Sequence, residues 1–250
     1  MTFLSEPVAL HAQRGTSADQ LRPSEYTAAL IHVLRGRAPF LQLDRVAEIG
    51  VGSGVILAVL AELGAGRLHG VDIEAEAVEN AAVLLSDLGF ENRADIYSGD
   101  LWEPLEGCRF DLVVANLPHF PTVAADYPDR FPGWSRGGRD GRRLLDPFLE
   151  GLPHHLAPGG RALITHNAFV DIERSRRMLR PHGLDLRTVY KTTVYLPREK
   201  SSSITPEVLA HCEGRTIHYH GAYAFGEMHI VEIGRPDQLA SCEDGCGNTG

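Results

Sequence analysis

Short stretches of extended, largely apolar character recur along this chain: Val46-Ala-Glu-Ile49, Arg67-Leu-His-Gly-Val-Asp72, a segment near Asp95–Tyr97, and Phe110–Ala115. Between them apolar residues return every three or four positions, the spacing of a helix that buries one face. Ser24 to Arg35 predicts a helix with Ser24 as N-cap and Leu30, Ile31 and Leu34 on one side. An apolar helix follows residue 54 and runs to about Leu63, and another spans Glu74–Leu88. Further on, the pattern predicts helices over Arg142–Leu156 and Val170–Leu179 and strands over Arg161–Thr165, around Leu186–Leu196 and around Met228–Ile233. A short helix (Pro206–His211) and an extra strand are expected between the last two.

Strands alternating with helices of this length imply a parallel sheet covered on both faces. The last strands leave no room for a full crossover, so the expected fold is α/β and Rossmann-like: a seven-stranded mixed sheet whose last strand is antiparallel. Residues 1–44 read as a lead-in and first helix, 45–235 as one domain carrying an insertion at about 197–227, and 236–250 as a flexible tail rich in Gly and Pro. Residues 117–139 form an irregular stretch too long for a plain connection, and such loops tend to carry function.

Composition narrows the class. The 24 Lys+Arg against 33 Asp+Glu give a net charge of −9, which argues against non-specific binding along nucleic-acid backbones. No apolar run reaches the roughly 20 residues that span a bilayer, and the first residues lack the order of a secretory signal. The cysteines at 108, 212, 242 and 246 form neither a CxxC pair nor an evident disulfide framework, and no metal site is expected. His218 and His220 read as one face of an exposed strand. A cytoplasmic enzyme fits these facts.

The chemistry concentrates where strands end. Glu48-Ile-Gly50-Val-Gly52-Ser-Gly54 turns a strand into a helix, and glycines there let backbone approach a ligand closely. The dinucleotide fingerprint would place glycine at 55, where Val55 stands. Glu48 would repel a pyrophosphate but suits a cofactor bearing an ammonium and a sulfonium, S-adenosylmethionine (SAM). Asp72 ends the second strand, where a carboxylate can accept from both ribose hydroxyls; alone it would serve equally as a helix N-cap. Ile73 would then lie against adenine, with Asp100 and Leu101 offering a carboxylate and an apolar contact to the ring. At the end of the fourth strand stands Asn116-Leu-Pro-His119. The Asn116 side-chain oxygen and the carbonyl of residue 117 can both accept from an NH₂ group, and Pro118 stiffens the turn. His119 could stack on or hydrogen-bond a planar substrate, or act as a base. The arginines at 136, 139, 142 and 143 read as a solvated loop edge or as contacts to an acidic substrate or RNA.

Taken together these motifs resemble the HemK-type protein-glutamine N-methyltransferases of the class I SAM-dependent fold. Pro23-Ser-Glu25-Tyr-Thr27 is similar to the Pro-x-Glu-x-Thr element before the family's cofactor loop, and Trp134–Gly141 to its Gly-Gly-x-x-Gly segment. The resemblance covers roughly residues 22–190. It implies SAM held by Glu48, Gly50, Gly52, Gly54, Asp72, Ile73, Asp100, Leu101 and Asn116, with Thr27 and Tyr26 closing over the methionine end and Asn116, Pro118 and His119 forming the acceptor site. Leu117 and His119 depart from the usual Asn-Pro-Pro-Tyr, which turns the expected acceptor from glutamine towards another amide, an amine or a heteroaromatic nitrogen, on a protein side chain or a small molecule. A SAM-binding scaffold without catalysis is the non-enzymatic alternative.

Overall fold

The computed structural model describes residues 23–122 and 137–240. The lead-in before Pro23, the middle of the long loop with Trp134 and Arg136, and the segment with Cys242 and Cys246 lie outside the described residues.

Helix α1 (Glu25–Arg37) starts at a capping box: Ser24 Oγ accepts from Thr27 N, and Thr27 Oγ1 accepts from Ser24 N. Then follow β1 (Arg45–Ile49), α2 (Val55–Glu62), β2 (Arg67–Asp72), α3 (Ala75–Asp87), β3 (Ala94–Ser98) and β4 (Phe110–Ala115). The second half holds α4 (Leu145–His155), β5 (Leu156–Asn167), α5 (Ile172–Leu179) and β6 (Asp185–Leu196). It closes with α6 (Arg198–Ser203), α7 (Pro206–Cys212), β7 (Ile217–His220), β8 (Tyr223–Gly234) and α8 (Pro236–Ala240).

The strands form one sheet in the order β3-β2-β1-β4-β5-β8-β6, with β7 paired to β8 off this path. Strands β1 to β5 pair in parallel, while β8 runs antiparallel between β5 and β6. The seven-strand path and its antiparallel strand match the expectation; the eighth strand exists because β8 outruns β5. Strand β5 ends at Asn167 opposite Met228, and β7 takes up the edge of β8 left free at Tyr223–Gly226.

Two segments differ from the sequence pattern. Strand β5 begins at Leu156, not Arg161, although it contains Pro158-Gly-Gly160. A side chain at Gly160 would stand 2.6 Å from the Phe110 carbonyl, so only glycine lets the strand approach β4 here. Residues 236–240, expected as the start of a mobile tail, form α8. Pro236 opens it, Leu239 is buried, and Gln238 ties it down by donating to the Gly159 carbonyl at 3.0 Å and accepting from Arg235 N at 3.1 Å. A single buried leucine stabilises such a turn by about 1.5–3 kcal/mol, enough to dock a short segment.

Leu30 and Leu34 of α1, Leu57 and Leu60 of α2, and Phe110 and Phe148 are fully buried around the sheet. On β8, Glu232 is 0% exposed and meets three arginines, Arg37 of α1 (2.8 Å), Arg161 of β5 (2.9 Å) and Arg187 of β6 (2.7 Å). Burial opposes its ionisation, but hydrogen bonds from Arg161 and Arg187 and the charge of Arg37 outweigh that and lower its pKa. One carboxylate thus joins three elements to β8.

Candidate active site

The C-terminal ends of β1, β2 and β4 open into one cavity of roughly 340 Å³, walled also by the start of α1 and by Lys200 of α6. Parallel strands put their carboxyl ends together, and ligands of open α/β sheets bind in that crevice. Thr27, Glu48, Gly50, Gly52, Asp72, Ile73, Asp100, Leu101, Asn116, Pro118 and His119 all line it, as the sequence motifs require. Gly54 stands one step back as the N-cap of α2.

The glycine loop is shaped by backbone that other residues resist. Gly50, Gly52 and Gly54 have φ of 78°, 51° and 77°. A side chain at Gly54 would lie 2.8 Å from Ala81 Cα, so the third glycine also lets α2 approach α3. Gly50 N and Val51 N both donate to the Val71 carbonyl, at 2.8 and 3.0 Å, fastening the loop to β2. Asp72 braces it further by accepting from Gly52 N (2.9 Å) and Glu74 N (3.0 Å). Burial raises the Asp72 pKa, and these backbone donors oppose the rise.

Glu48 is 1% exposed, and its Oε2 has no hydrogen-bond partner. Burial drives its pKa well upward, and the nearby charge of Asp72 adds to that. A buried orphan acceptor on a cavity wall fits a cationic ligand group. Ile73 is 62% exposed at the rim, an apolar surface suited to a ring, and Leu101 holds a left-handed φ of 48° beside it. These features fit a ligand that bears cationic, hydroxyl and ring groups, as SAM does.

The Asn116 turn is held from several sides. Its Nδ2 donates to Thr27 Oγ1 at 3.2 Å, and its Oδ1 accepts from Thr165 Oγ1 at 2.9 Å. Thr27, expected at the cofactor, therefore also orients Asn116 from the capping box of α1. Leu117 is buried, and its Cδ2 would lie 3.0 Å from a Cβ added at Gly50, so this side chain packs the turn onto the glycine loop.

His119 corrects the sequence reading. Its Nδ1–H donates to the Leu117 carbonyl (2.6 Å), and its Nε2 accepts from the Asn167 backbone N–H (2.9 Å). Burial lowers its pKa to about 4, only partly offset by the Leu117 carbonyl. A base needs a free ring nitrogen, and both of these are used inside the fold. The ring supports the turn.

Arg142 is a second correction. It is 3% exposed, not a loop edge. It donates to Asp146 Oδ1 (2.7 Å), to the carbonyls of Val170 (2.8 Å) and Asp171 (3.0 Å), and to Ser175 Oγ (3.0 Å). The glycines beside it buttress the turn: a side chain at Gly137 would lie 2.5 Å from the Phe120 carbonyl, and one at Gly141 2.7 Å from the His119 carbonyl. Arg139, by contrast, is exposed and faces Glu207.

Arg143, named in the sequence among the loop arginines, shares the cavity, as do Asn167 and Lys200, which no local sequence signal marked. Lys200 Nζ stands 5.9 Å from the ring centroid of Phe120. Among the described residues no group of three or more His, Cys, Asp or Glu side chains could hold a metal ion, and no helix is long and apolar enough to cross a membrane.

Comparison with known proteins agrees with this geometry. The profile of the methyltransferase domain family matches residues 46–130. A protein of Methanocaldococcus jannaschii with the provisional name protein N5-glutamine methyltransferase is 34% identical over 143 residues, covering 55% of this chain and 69% of that one. A release factor glutamine methyltransferase of Xylella fastidiosa is 32% identical over 156 residues, 60% of this chain and 56% of the relative. The match thus spans little more than half of the bacterial enzyme. In fold, the chain is similar to the E. cuniculi Mtq2–Trm112 complex responsible for methylation of the eRF1 termination factor, with a TM-score of 0.55, 16% identity, and coverage of 87% of this chain and 99% of that one.

Proposed function

Because this chain belongs to the class I SAM-dependent methyltransferase family, resembling its HemK-type members, we propose that its pocket transfers a methyl group to a planar nitrogen and that the side-chain amide of a protein glutamine fits it best. The observation that carries the reading is that Asn116 and Leu117 line one cavity with Glu48 and Asp72. Asn116 Oδ1 and the Leu117 carbonyl, each with a lone pair beyond its bond to Thr165 or His119, would both accept from one NH₂ and fix the nitrogen's lone-pair direction, and such positioning can contribute about 7–11 kcal/mol to a bimolecular step.

SAM, when bound, supplies a methyl group on a positively charged sulfur. The chain's own residues do the rest. Glu48 and Asp72 offer carboxylates to the ligand's cationic and hydroxyl groups, and the glycine loop allows close approach. Thr27 and Thr165 keep Asn116 from turning, and Leu117 couples the acceptor turn to the cofactor loop. The His119 substitution does not disable this arrangement, because the ring serves the fold behind the turn. That removes the main sequence argument against a glutamine acceptor, and the similarity to glutamine methyltransferases favours it. A small free amide or amine is the second reading, favoured by Lys200 and Phe120, which wall the cavity.

Incubation with methyl-labelled SAM and cell protein, followed by peptide mass spectrometry, tests the assignment. Label on glutamine side chains, lost in Asn116→Ala, is expected. Label confined to small metabolites or RNA would overturn the protein-glutamine reading.

A further inference from the structure

The reaction read above uses the end of β4; the end of its neighbour β5 has no role yet. Asn167 closes β5, is 2% exposed and lines the same cavity. Side chains along a strand alternate between faces. Thr165 reaches Asn116 with its hydroxyl, so Asn167, two positions on, shares the face of the acceptor turn, while His166 points to the other side. There His166 meets Ser175 of α5.

Asn167 is locked at three points. Its Oδ1 accepts from the Tyr26 hydroxyl at 2.8 Å. Burial raises the Tyr26 pKa, so that hydroxyl stays a donor. The Asn167 backbone N–H donates to His119 Nε2 at 2.9 Å, and its carbonyl accepts from His166 Nδ1–H at 2.9 Å. His166 Nε2 in turn accepts from the Ser175 hydroxyl (2.9 Å), whose oxygen accepts from Arg142. An unbroken line of hydrogen bonds therefore runs from the buried Arg142 through Ser175, His166, Asn167 and His119 to the Leu117 carbonyl. With Oδ1 taken by Tyr26, what Asn167 has left for the cavity is Nδ2, a group that only donates.

Resting on the planar-nitrogen reading of this pocket, we infer that Asn167 is a specificity-determining residue that donates from Nδ2 to the carbonyl oxygen of the bound carboxamide. Asn116 and Leu117 accept from the amide's NH₂ on one side, and Asn167 donates to its oxygen on the other. A side-chain amine has no oxygen to offer and leaves the Asn167 donor without a partner, and sites built to hydrogen-bond a substrate group discriminate strongly against analogues lacking it. The line of bonds back to Arg142 explains why His119 can replace a tyrosine: it joins the two halves of the recognition site, the turn after β4 and the end of β5.

Two bisubstrate compounds test this without knowledge of the natural acceptor. Both are S-adenosylhomocysteine analogues whose sulfur is replaced by a nitrogen carrying a short chain. That chain ends in a primary carboxamide in one compound and a primary amine in the other. By calorimetry the carboxamide compound is expected to bind the wild type roughly tenfold tighter than the amine. Asn167→Ala should bring the ratio near unity, and Asn167→Asp should reverse it, with affinity for S-adenosylhomocysteine unchanged in both. A preference that survives in both variants, or none in the wild type, would overturn the role of Asn167. If neither compound binds the wild type better than S-adenosylhomocysteine itself, the acceptor-site reading fails, and the inference with it.

Discussion

At the scale of single residues, position after a strand mattered more than residue type. Asn116 is useful because Thr27 and Thr165 hold both ends of its amide. We predict that Asn116→Ala lowers turnover by roughly a hundredfold or more through lost alignment, while calorimetry shows SAM affinity little changed. Asp72→Ala should do the reverse and weaken SAM binding first, since Asp72 both lines the cavity and braces Gly52. His119 and His166 make a pH prediction. Burial lowers them from 6.5 to about 4 and about 3. Below 6.5 the unfolded chain takes up protons that the folded chain refuses, so their contribution to stability is fully present above 6.5. It is lost progressively as pH falls towards those values. Thermal unfolding midpoints should drop over that window, and less steeply in His119→Gln, whose amide keeps a donor and an acceptor; an unchanged slope would mean that His119 is not held neutral. Glu48 has the opposite sign. Its raised pKa means that a cationic ligand must displace a proton at low pH, so SAM affinity should strengthen as pH rises, and Glu48→Gln should flatten that dependence.

At the scale of elements, the Asn116 turn owes its shape to a glycine-rich segment with no regular secondary structure. Gly137 and Gly141 lie against the backbone of His119 and Phe120, where any side chain would collide. Gly137→Ala should therefore displace the turn, costing about 1–3 kcal/mol of stability as overpacking does. It should reduce methyl transfer more than SAM binding, measured by denaturant unfolding and labelled-SAM assays on one preparation. The motif's glycines were visible in the sequence; their partner was not, because residues 137–141 and 119–120 meet only through packing. Arg142 illustrates the same limit. An arginine among glycines and other arginines reads as solvated, yet four donors of this side chain find partners in Asp146, Ser175 and the carbonyls of Val170 and Asp171. After β6 the sequence pattern gives a short helix and an extra strand; the structure has a second helix as well, α6 before α7 and β7. The contribution of this segment to the site is Lys200 of α6, near the Phe120 ring.

At the scale of the whole molecule, Glu232 carries the clearest consequence. It lies near the C-terminal end of the antiparallel strand β8 and binds α1, β5 and β6 through three arginines. Glu232→Ala would leave those guanidinium groups facing each other in a partly buried space, at a cost of about 3–5 kcal/mol, the loss typical of breaking a buried pair. Urea unfolding of the variant at neutral pH measures it. Since hydrogen bonds and neighbouring charges lower the Glu232 pKa, its stabilisation is present above its ordinary 4.5 and fades as pH falls below that.

The sequence by itself determined the strand–helix alternation, the Rossmann-like class, the glycine loop with Glu48 and Asp72, and the turn at Asn116. Each of these is encoded within a few consecutive residues, by hydrophobic period, by glycines with positive φ, or by a polar residue at a strand end. Only the tertiary structure decided which side of the turn His119 serves, that Arg142 is a buried hub, and that Asn167 shares a cavity with Asn116. Those facts depend on contacts between residues separated by 28 to 49 positions. Local pattern carries no information about which buried partner will meet a given donor.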